Sequence, residues 1–359
     1  MKLALGAALA VLLSTPAAAQ EPTYPQIVVG GRLQTQFYTF DNDNQAKSGS
    51  SSTFFIRRAR IQINAKLREN VSLVIQPSFE GGRATGVRLR DAYIDVRLTP
   101  ASSRTAFTIR TGAEKKPFGR YELLSSNNLP TLERNAGRGL LPVASNNLFE
   151  TAGYIATDLG ASLILAHKLA EGRHLTMQVG GYNGQGESIN DVNGSKSLGV
   201  QALADVTKKL MLGVAFFSHD GIVALTPTVS DSSFRNQAIG LEAQWGKPGD
   251  KGLFVVADYM AGEDFTKDLH SMKGVSVVAA YHARTAAAKK IFAVEPVVRF
   301  DWADPDGGVA ANASTLVSAG VNLYLTAKAQ LRFMFETQNP QAAAGKAISG
   351  LRTAMTMNF

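Results

Sequence analysis

The sequence predicts an all-β protein, a sixteen-stranded antiparallel transmembrane β-barrel, and three observations lead to this fold class. Apolar and polar side chains alternate with a period of two along many segments of about ten residues. After an N-terminal leader, no apolar run approaches the roughly 20 residues that a membrane-spanning helix needs. The alternating segments number sixteen, and short and long connectors alternate between them, which is typical of bacterial barrels with tight turns at one end.

Composition excludes several other classes. The chain has 359 residues, of which 45% are hydrophobic and 18% charged, and it has no cysteine. These values are not those of disordered, collagen-like or disulfide-rich proteins. The absence of cysteine also excludes cysteine nucleophiles and zinc-finger sites.

The first residues have the pattern of a secretory signal peptide. Lys2 is followed by an apolar stretch from Leu3 to Leu13 and by three alanines that form a small-residue cleavage site. We therefore predict a signal peptide over residues 1–19 and a barrel over residues 20–359. An exported chain without a helical span is periplasmic, secreted or a membrane barrel.

Alternation is clearest from residue 58 to residue 67. The apolar positions are Ala59, Ile61, Ile63, Ala65 and Leu67, and the polar positions are Arg58, Arg60, Gln62, Asn64 and Lys66. Helical spacing would mix Arg58 and Ile61 on one face, so a strand is indicated. A soluble β-sandwich would alternate too, but its polar face would be rich in Lys and Glu. Here that face is rich in Gly, Ser, Gln, Asn and Arg, which favours a water-filled barrel.

The predicted strands all have the length of a barrel strand. They span about 26–39, 54–68, 70–80, 86–98, 104–113, 158–169, 173–184, 196–206, 209–219, 235–246, 251–262, 272–284, 289–301, 313–326, 327–338 and 349–359. One connector, 114–157, is an outlier with 44 residues. A structureless loop of this size is uncommon and usually functional.

Positive charge is concentrated near the start of the predicted barrel. Residues 20–120 contain sixteen Lys and Arg against eight Asp and Glu, whereas residues 121–359 contain twenty against twenty-one. Basic side chains on the inner face of a low-dielectric wall raise the local concentration of anions. We therefore predict a preference for anions. The candidate wall residues are Arg58, Arg60, Lys66, Arg97 and Arg110.

The 44-residue connector adds further basic residues. Guanidinium and ammonium groups at a narrow point replace the water that an anion loses. The candidates are Lys115, Lys116, Arg120, Arg134 and Arg138. Four acids, Glu114, Glu122, Glu133 and Glu150, nearly cancel this charge. The alternative is a folded plug that ion pairs, such as those of Glu133 or Arg134, hold against the wall.

Four segments resemble a known family. They are Phe54–Arg60, Leu89–Asp95, Thr111–Gly119 and Leu132–Asn135, and in this order and spacing they resemble the phosphate-selective porin O and P family of Gram-negative outer membranes. The resemblance is specific over residues 54–140. It implies a trimeric channel with short periplasmic turns, longer extracellular loops and a third loop, 114–157, folded into the lumen as a constriction.

The predicted function is that of an outer-membrane porin, which allows passive diffusion of small hydrophilic solutes with a preference for anions. Phosphate and polyphosphate are candidate solutes. The expected partners are small anions, outer-membrane lipid and lipopolysaccharide, and two further copies of the chain in a homotrimer. No nucleic acid, cofactor or metal is expected.

Two rival classes stay open at this point: a barrel enzyme of the esterase or phospholipase type, and a non-conducting structural barrel. The five histidines are scattered, and the sequence lacks a Gly-x-Ser-x-Gly motif, which favours a protein that is not an enzyme. Arg57 is at an outward-facing position of the alternating strand. It is expected to contact lipopolysaccharide phosphates, to lie at the membrane interface as a snorkelling arginine, or to contact another subunit.

Overall fold

A computed structural model of the 359-residue chain describes residues 23–41, 52–80, 87–135, 144–186, 190–191, 193–223, 232–264, 268–285, 291–340 and 346–359. The predicted signal peptide and Arg138 lie outside the described residues. The helices in these ranges all fall short of the length and apolarity needed to span a bilayer.

Sixteen strands form one closed antiparallel barrel, in which each strand pairs with its neighbours in sequence and the first pairs with the last. The strands are β1 (Gln26–Phe40), β2 (Ser52–Arg68), β3 (Val71–Ser78), β4 (Arg88–Arg97), β5 (Thr105–Lys115), β6 (Thr157–Lys168), β7 (His174–Tyr182), β8 (Ser197–Asp205), β9 (Leu210–Val223), β10 (Ser232–Trp245), β11 (Gly252–Glu263), β12 (Ser271–Arg284), β13 (Ala293–Asp304), β14 (Ser314–Tyr324), β15 (Ala329–Pro340) and β16 (Ile348–Asn358). The predicted fold class is confirmed, and strand ends lie within four residues of the predicted ones.

The period of two separates an outer apolar face from an inner polar face. Along β10, Ile239 and Leu241 are more than half exposed on the outside, while Asn236 and Glu242 are buried inside the barrel. Closure pairs β1 with β16, so neither end of the described sheet is left as an open edge in lipid. Arg58 also faces inward, as predicted, and is 3% exposed.

Two β-bulges add an arginine to the inner face. In β2, Gln34 pairs with Arg58 and Thr35 pairs with Ile56, so Arg57 is the extra residue. Its guanidinium donates to Glu133 inside the barrel at 2.7 Å. The outward orientation predicted for Arg57, and with it the proposed contact to lipopolysaccharide, is therefore wrong. In β4, the register shift likewise leaves Arg90 as the extra residue.

The long connector between β5 and β6 folds against the inner wall. We call its described residues, 116–135 and 144–156, the inner loop. It contains two short α-helices, α1 (Arg120–Leu123) and α2 (Ser145–Thr151), and a 3₁₀ turn at residues 126–128. The helices contact β10 to β13.

Two apolar clusters hold the inner loop in place. Each joins loop side chains to inward-facing wall residues, and burying one such side chain contributes about 1.5–3 kcal/mol. The first cluster comprises Phe118, Leu148, Phe149, Ala152, Tyr154, Ile155, Tyr182, Ala215, Phe217, Ala238, Met260, Met272 and Ala303. The second comprises Tyr121, Leu124, Leu129, Leu132, Phe254, Val256, Val278, Ala280, Val297, Met334 and Ala354. The loop therefore lies against an apolar part of the inner wall, across the lumen from the bulged strand β4.

Candidate functional site

Two adjoining cavities lie between the inner loop and the arginine-rich strands β2 and β4. Their volumes are about 630 and 300 Å³, and they share Arg60, Arg90, Arg134 and Thr157 in their lining. We call them the arginine-lined cavities. Their basic side chains are Arg57, Arg58, Arg60, Arg88, Arg90, Arg110, Lys115 and Arg134. Their acidic side chains are Glu80, Asp91, Glu122, Glu133 and Glu150.

Glu133 is the centre of an ion-pair network in the larger cavity. Its carboxylate accepts two hydrogen bonds of 2.7 Å from Arg57 and one of 3.3 Å from Arg58. Gln36 Nε2 donates a further hydrogen bond of 2.8 Å. Burial by itself would raise the pKa of Glu133, but Arg58 and Arg57 hold that pKa well below its usual range. The carboxylate therefore stays ionised and fixes two inward arginines.

Arg60 and Arg110 are held by acids of the wall. The Arg60 guanidinium pairs with Glu80 and donates to Ser126 Oγ at 3.2 Å. Arg110 makes a bidentate pair with Asp95 at 2.7 and 2.8 Å and lies 3.8 Å from the centre of the Tyr93 ring. The side chains of both arginines also line the cavities: Arg60 lines both of them, and Arg110 lines the smaller one. Asp95 already engages both Nε and Nη2 of Arg110, and Glu80 engages Nε of Arg60, so these arginines contribute positive charge to the cavities and not a free bidentate fork.

The predicted loop cations divide into two groups. Lys115 donates to the Glu122 and Leu124 carbonyls, and Arg134 donates to the Leu124 carbonyl and pairs with Glu122 at 3.5 Å. These two line the cavities. Lys116, in contrast, is 3% exposed and donates to Gly153 O at 2.5 Å.

Three other predicted residues lie away from the cavities. Arg120 is on the far side of the inner loop, where its Nε donates to Gln244 Oε1 at 2.7 Å. Lys66 and Arg97 are near the short-turn end of the barrel, and Arg97 donates to Ala101 O at 3.3 Å. The structure thus brings together Arg58, Arg60, Arg110, Lys115 and Arg134, and it places Lys66, Arg97, Lys116 and Arg120 elsewhere.

Sequence reasoning missed several inward arginines that hold the inner loop. Arg332 donates to the carbonyls of residues 129, 130 and 131 at 2.6–2.7 Å. Arg299 donates to Glu133 O at 2.8 Å, and Arg32 donates to the Ser126 carbonyl and to Asn127 Oδ1. Their signal in the sequence was a basic residue at an inward position of an alternating strand. For Arg299 and Arg332, charge counts over whole segments did not detect it, because nearby acids such as Asp301 and Glu336 cancel it.

The base of the inner loop is closed by a strained segment. Lys116 N donates to Ala156 O at 3.0 Å, and Lys116 Nζ lies 3.9 Å from Asp158 Oδ2. Burial lowers the pKa of Lys116, while Asp158 opposes that shift. Gly153 and Ala156 both have positive φ angles, 85° and 77°. The inner loop therefore depends on backbone conformations that side chains rarely adopt.

We expect Gly153→Ala to destabilise the barrel more than Gly172→Ala does. A Cβ at residue 153 would lie 2.3 Å from His219 Nε2, whereas a Cβ at residue 172 would meet nothing within 4 Å. Both glycines have similar positive φ angles, so the difference isolates the steric clash, which costs about 1–3 kcal/mol. Urea unfolding of the protein in lipid vesicles, followed by tryptophan fluorescence, measures both variants. Equal losses would contradict the packing of Gly153 on His219.

A sequence profile of the family described as phosphate-selective porin O and P matches residues 27–220, which is more than half of the chain. The chain belongs to the phosphate-selective porin O and P family. It is an outer-membrane porin of the Gram-negative type. The matched residues include β1 to β9 up to Asp220 and the whole inner loop, so both sides of the arginine-lined cavities fall within the family match.

Solved structures agree with the fold. The porin is similar to an anion-selective porin from Comamonas acidovorans, with a TM-score of 0.63, 13% identity, and coverage of 93% of this chain and 100% of that chain. It is also similar to the outer membrane channel DcaP of Acinetobacter baumannii, with a TM-score of 0.58, 10% identity, and coverage of 93% and 97%. A trimer form of OmpT from Vibrio cholerae has a TM-score of 0.57, 11% identity, and coverage of 93% and 99%. No curated protein sequence matches the chain.

Within the described ranges, the porin has no group of three or more His, Asp or Glu side chains arranged to hold a metal ion.

Proposed function

We propose that this porin conducts small anions by passive diffusion through the arginine-lined cavities, and that it is a channel rather than an enzyme. Residues 114–157 act as the constriction loop, residues 1–19 are a signal peptide, and phosphate and polyphosphate are the candidate solutes. The observation that carries the proposal is the charge of the cavity lining, with eight basic and five acidic side chains.

The arrangement of these charges supports anion passage. Arg57, Arg58 and Glu133 hold one another in place, so the guanidinium groups are fixed before a solute arrives. Arg88 is exposed at the loop end of β4 and lines the larger cavity. A positive surface beside a low-dielectric wall attracts anions and repels cations. The family to which the chain belongs and the anion-selective Comamonas porin support the same preference.

We also propose that the functional unit is a homotrimer. A neighbouring fold, OmpT of Vibrio cholerae, has been described in a trimer form. Chemical cross-linking of the protein in native membranes, followed by denaturing gel electrophoresis, tests this directly. We expect a ladder that ends at three subunits, and a ladder that ends at one would contradict the proposal.

Single-channel recording in a planar bilayer tests the conduction. The purified porin should give steady conductance steps, and in asymmetric KCl the reversal potential should have the sign of a chloride-permeable channel. If phosphate enters the same cavities, inorganic phosphate should reduce the chloride current in a concentration-dependent way. Absence of steps would support the non-conducting barrel, and hydrolysis of lipid by the purified protein would support the enzyme.

A further inference from the structure

The membrane-facing side of β8 to β11 has an apolar depression of about 620 Å³. Strand pairing defines its shape. In one row, Ala204, Leu212, Ala243 and Ala257 lie side by side on successive strands. In the next row, Ala202 and Val214 lie beside Leu241 and Tyr259. Four alanines thus form a floor between larger side chains, and we call this feature the alanine depression.

A basic rim lies at the short-turn end of the same strands. Trp245 is on the same face of β10 as Ala243, two residues nearer the turn, and is 39% exposed. Tryptophan is common where hydrocarbon meets the headgroups of a membrane. Two turns, residues 206–209 and 246–251, follow immediately and touch through a hydrogen bond of 2.8 Å from Gly246 N to Lys209 O.

The charge of these two turns is strongly positive. They contain Lys208, Lys209, Lys247 and Lys251, all exposed, against Asp250. Lys208 also lies 3.9 Å from the exposed Glu171, which leaves the other lysines to face solvent or headgroups. Lys247 follows Ala243 by four residues, which span about 13 Å in a strand. One lipid molecule is long enough to contact both residues.

We propose that the alanine depression and the basic rim together form a binding site for one phospholipid with an anionic headgroup, in the leaflet at the short-turn end. An acyl chain fills the space above the alanines, where the larger neighbouring side chains border it. The lysines contact the phosphate, whose negative charge no headgroup ammonium offsets in such a lipid. The site is on the outside of the barrel and is independent of the proposed conduction pathway.

Native mass spectrometry of the full-length porin, released from detergent and titrated with defined lipids, tests the site. Wild-type protein should retain one phosphatidylglycerol at a lower lipid concentration than it needs to retain phosphatidylethanolamine. Lys209→Gln with Lys247→Gln should weaken phosphatidylglycerol binding by about fivefold per lysine and weaken phosphatidylethanolamine binding less, because the ammonium of that lipid already offsets its phosphate. Ala202→Leu with Ala243→Leu should fill the depression and remove the bound lipid of either kind.

Ala161→Leu is the matched control, because Ala161 is an exposed alanine on the outer face of β6, away from the depression. It should retain lipid as the wild type does. Equal lipid binding by all variants would overturn the proposal, as would equal retention of the two lipids by wild type. Loss of trimer in the alanine double variant, with lipid binding unchanged, would instead assign the depression to contact with a second copy. If that variant does not fold, the lysine variant, altered only in exposed turns, still decides.

Discussion

Replacing Glu133 by Gln should release the inner loop from β2. The substitution removes the negative charge that pairs with Arg57 and Arg58. Arg57 keeps a longer ion pair of 3.5 Å with Glu80, whereas the buried Arg58 guanidinium is left with hydrogen bonds to Gln34 Oε1 and Leu132 O. Removing one partner of a buried ion pair typically costs about 3–5 kcal/mol. Amide hydrogen exchange of residues 126–135 should therefore be faster by a hundredfold or more, since each 1.4 kcal/mol is about tenfold.

Glu150→Gln is the control for this experiment, because Glu150 lies on α2 of the same loop and its carboxylate accepts from Asn135. It should change exchange far less. Unchanged exchange in Glu133→Gln would mean that the apolar clusters alone hold the loop, and the ion-pair network would lose its structural role.

The same network sets a pH dependence. The pKa of Glu133 is lowered in the folded protein, so its stabilising contribution is fully present above the unfolded value of about 4.3. The contribution decreases as the pH falls below that value. The protection factors of residues 126–135, which compare each exchange rate with the intrinsic rate at the same pH, should therefore fall in acid in the wild type and fall less in the Glu133→Gln variant. A parallel acid response in both proteins would contradict the assignment of the network to Glu133.

Reversing the charge of Arg90 should produce the largest change in ion selectivity. Arg90 is the bulge residue of β4 and lines both arginine-lined cavities. In Arg90→Glu, a change of two charges roughly 6 Å from a monovalent ion alters its energy by about 1.4 kcal/mol in a water-like medium, or about tenfold in relative permeability. Reversal potentials in asymmetric KCl should shift toward cation preference.

Arg104→Glu makes the same change of charge at an exposed residue near a short turn, where Arg104 Nε donates to Lys168 O at 2.7 Å. It should shift the reversal potential much less. Salt screens the interaction between a permeating ion and a charge when the distance between them exceeds the Debye length of the solution. If both variants shift the potential equally, net charge rather than the cavity lining determines selectivity.

The junction between β5 and the inner loop illustrates why loop residues are harder to assign than strand residues. Lys115 and Lys116 are adjacent and chemically identical, and both were candidates for anion contact. In the structure, Lys115 is the last residue of β5 and lines the smaller cavity, whereas Lys116, the first residue of the inner loop, is buried against Gly153 O. A loop has no fixed side-chain period, so orientation follows from the wall against which it packs. The anion-binding role of the loop cations stays a prediction.

The inner wall shows a second limit of pattern reading. Alternation correctly predicted that one face of each strand is apolar. It also predicted that the whole of the opposite, inward face contacts water, and this is not so beneath the inner loop. Val256, Val278 and Val297 are inward and buried beneath the loop. A strand with apolar residues on both faces gives a weaker period of two, and only the position of a distant loop explains why its inner face is dry.

The sequence by itself determined the number of strands, their approximate bounds and the inward orientation of Arg58 and Arg60, because a period of two is a local property of the backbone. Tertiary structure decided which side of the lumen remains open and which arginines border it. Arg57 and Arg90 face inward only because the register with the neighbouring strand shifts at each of them. Such a shift depends on pairing between strands, and the periodicity of a single strand carries no record of it.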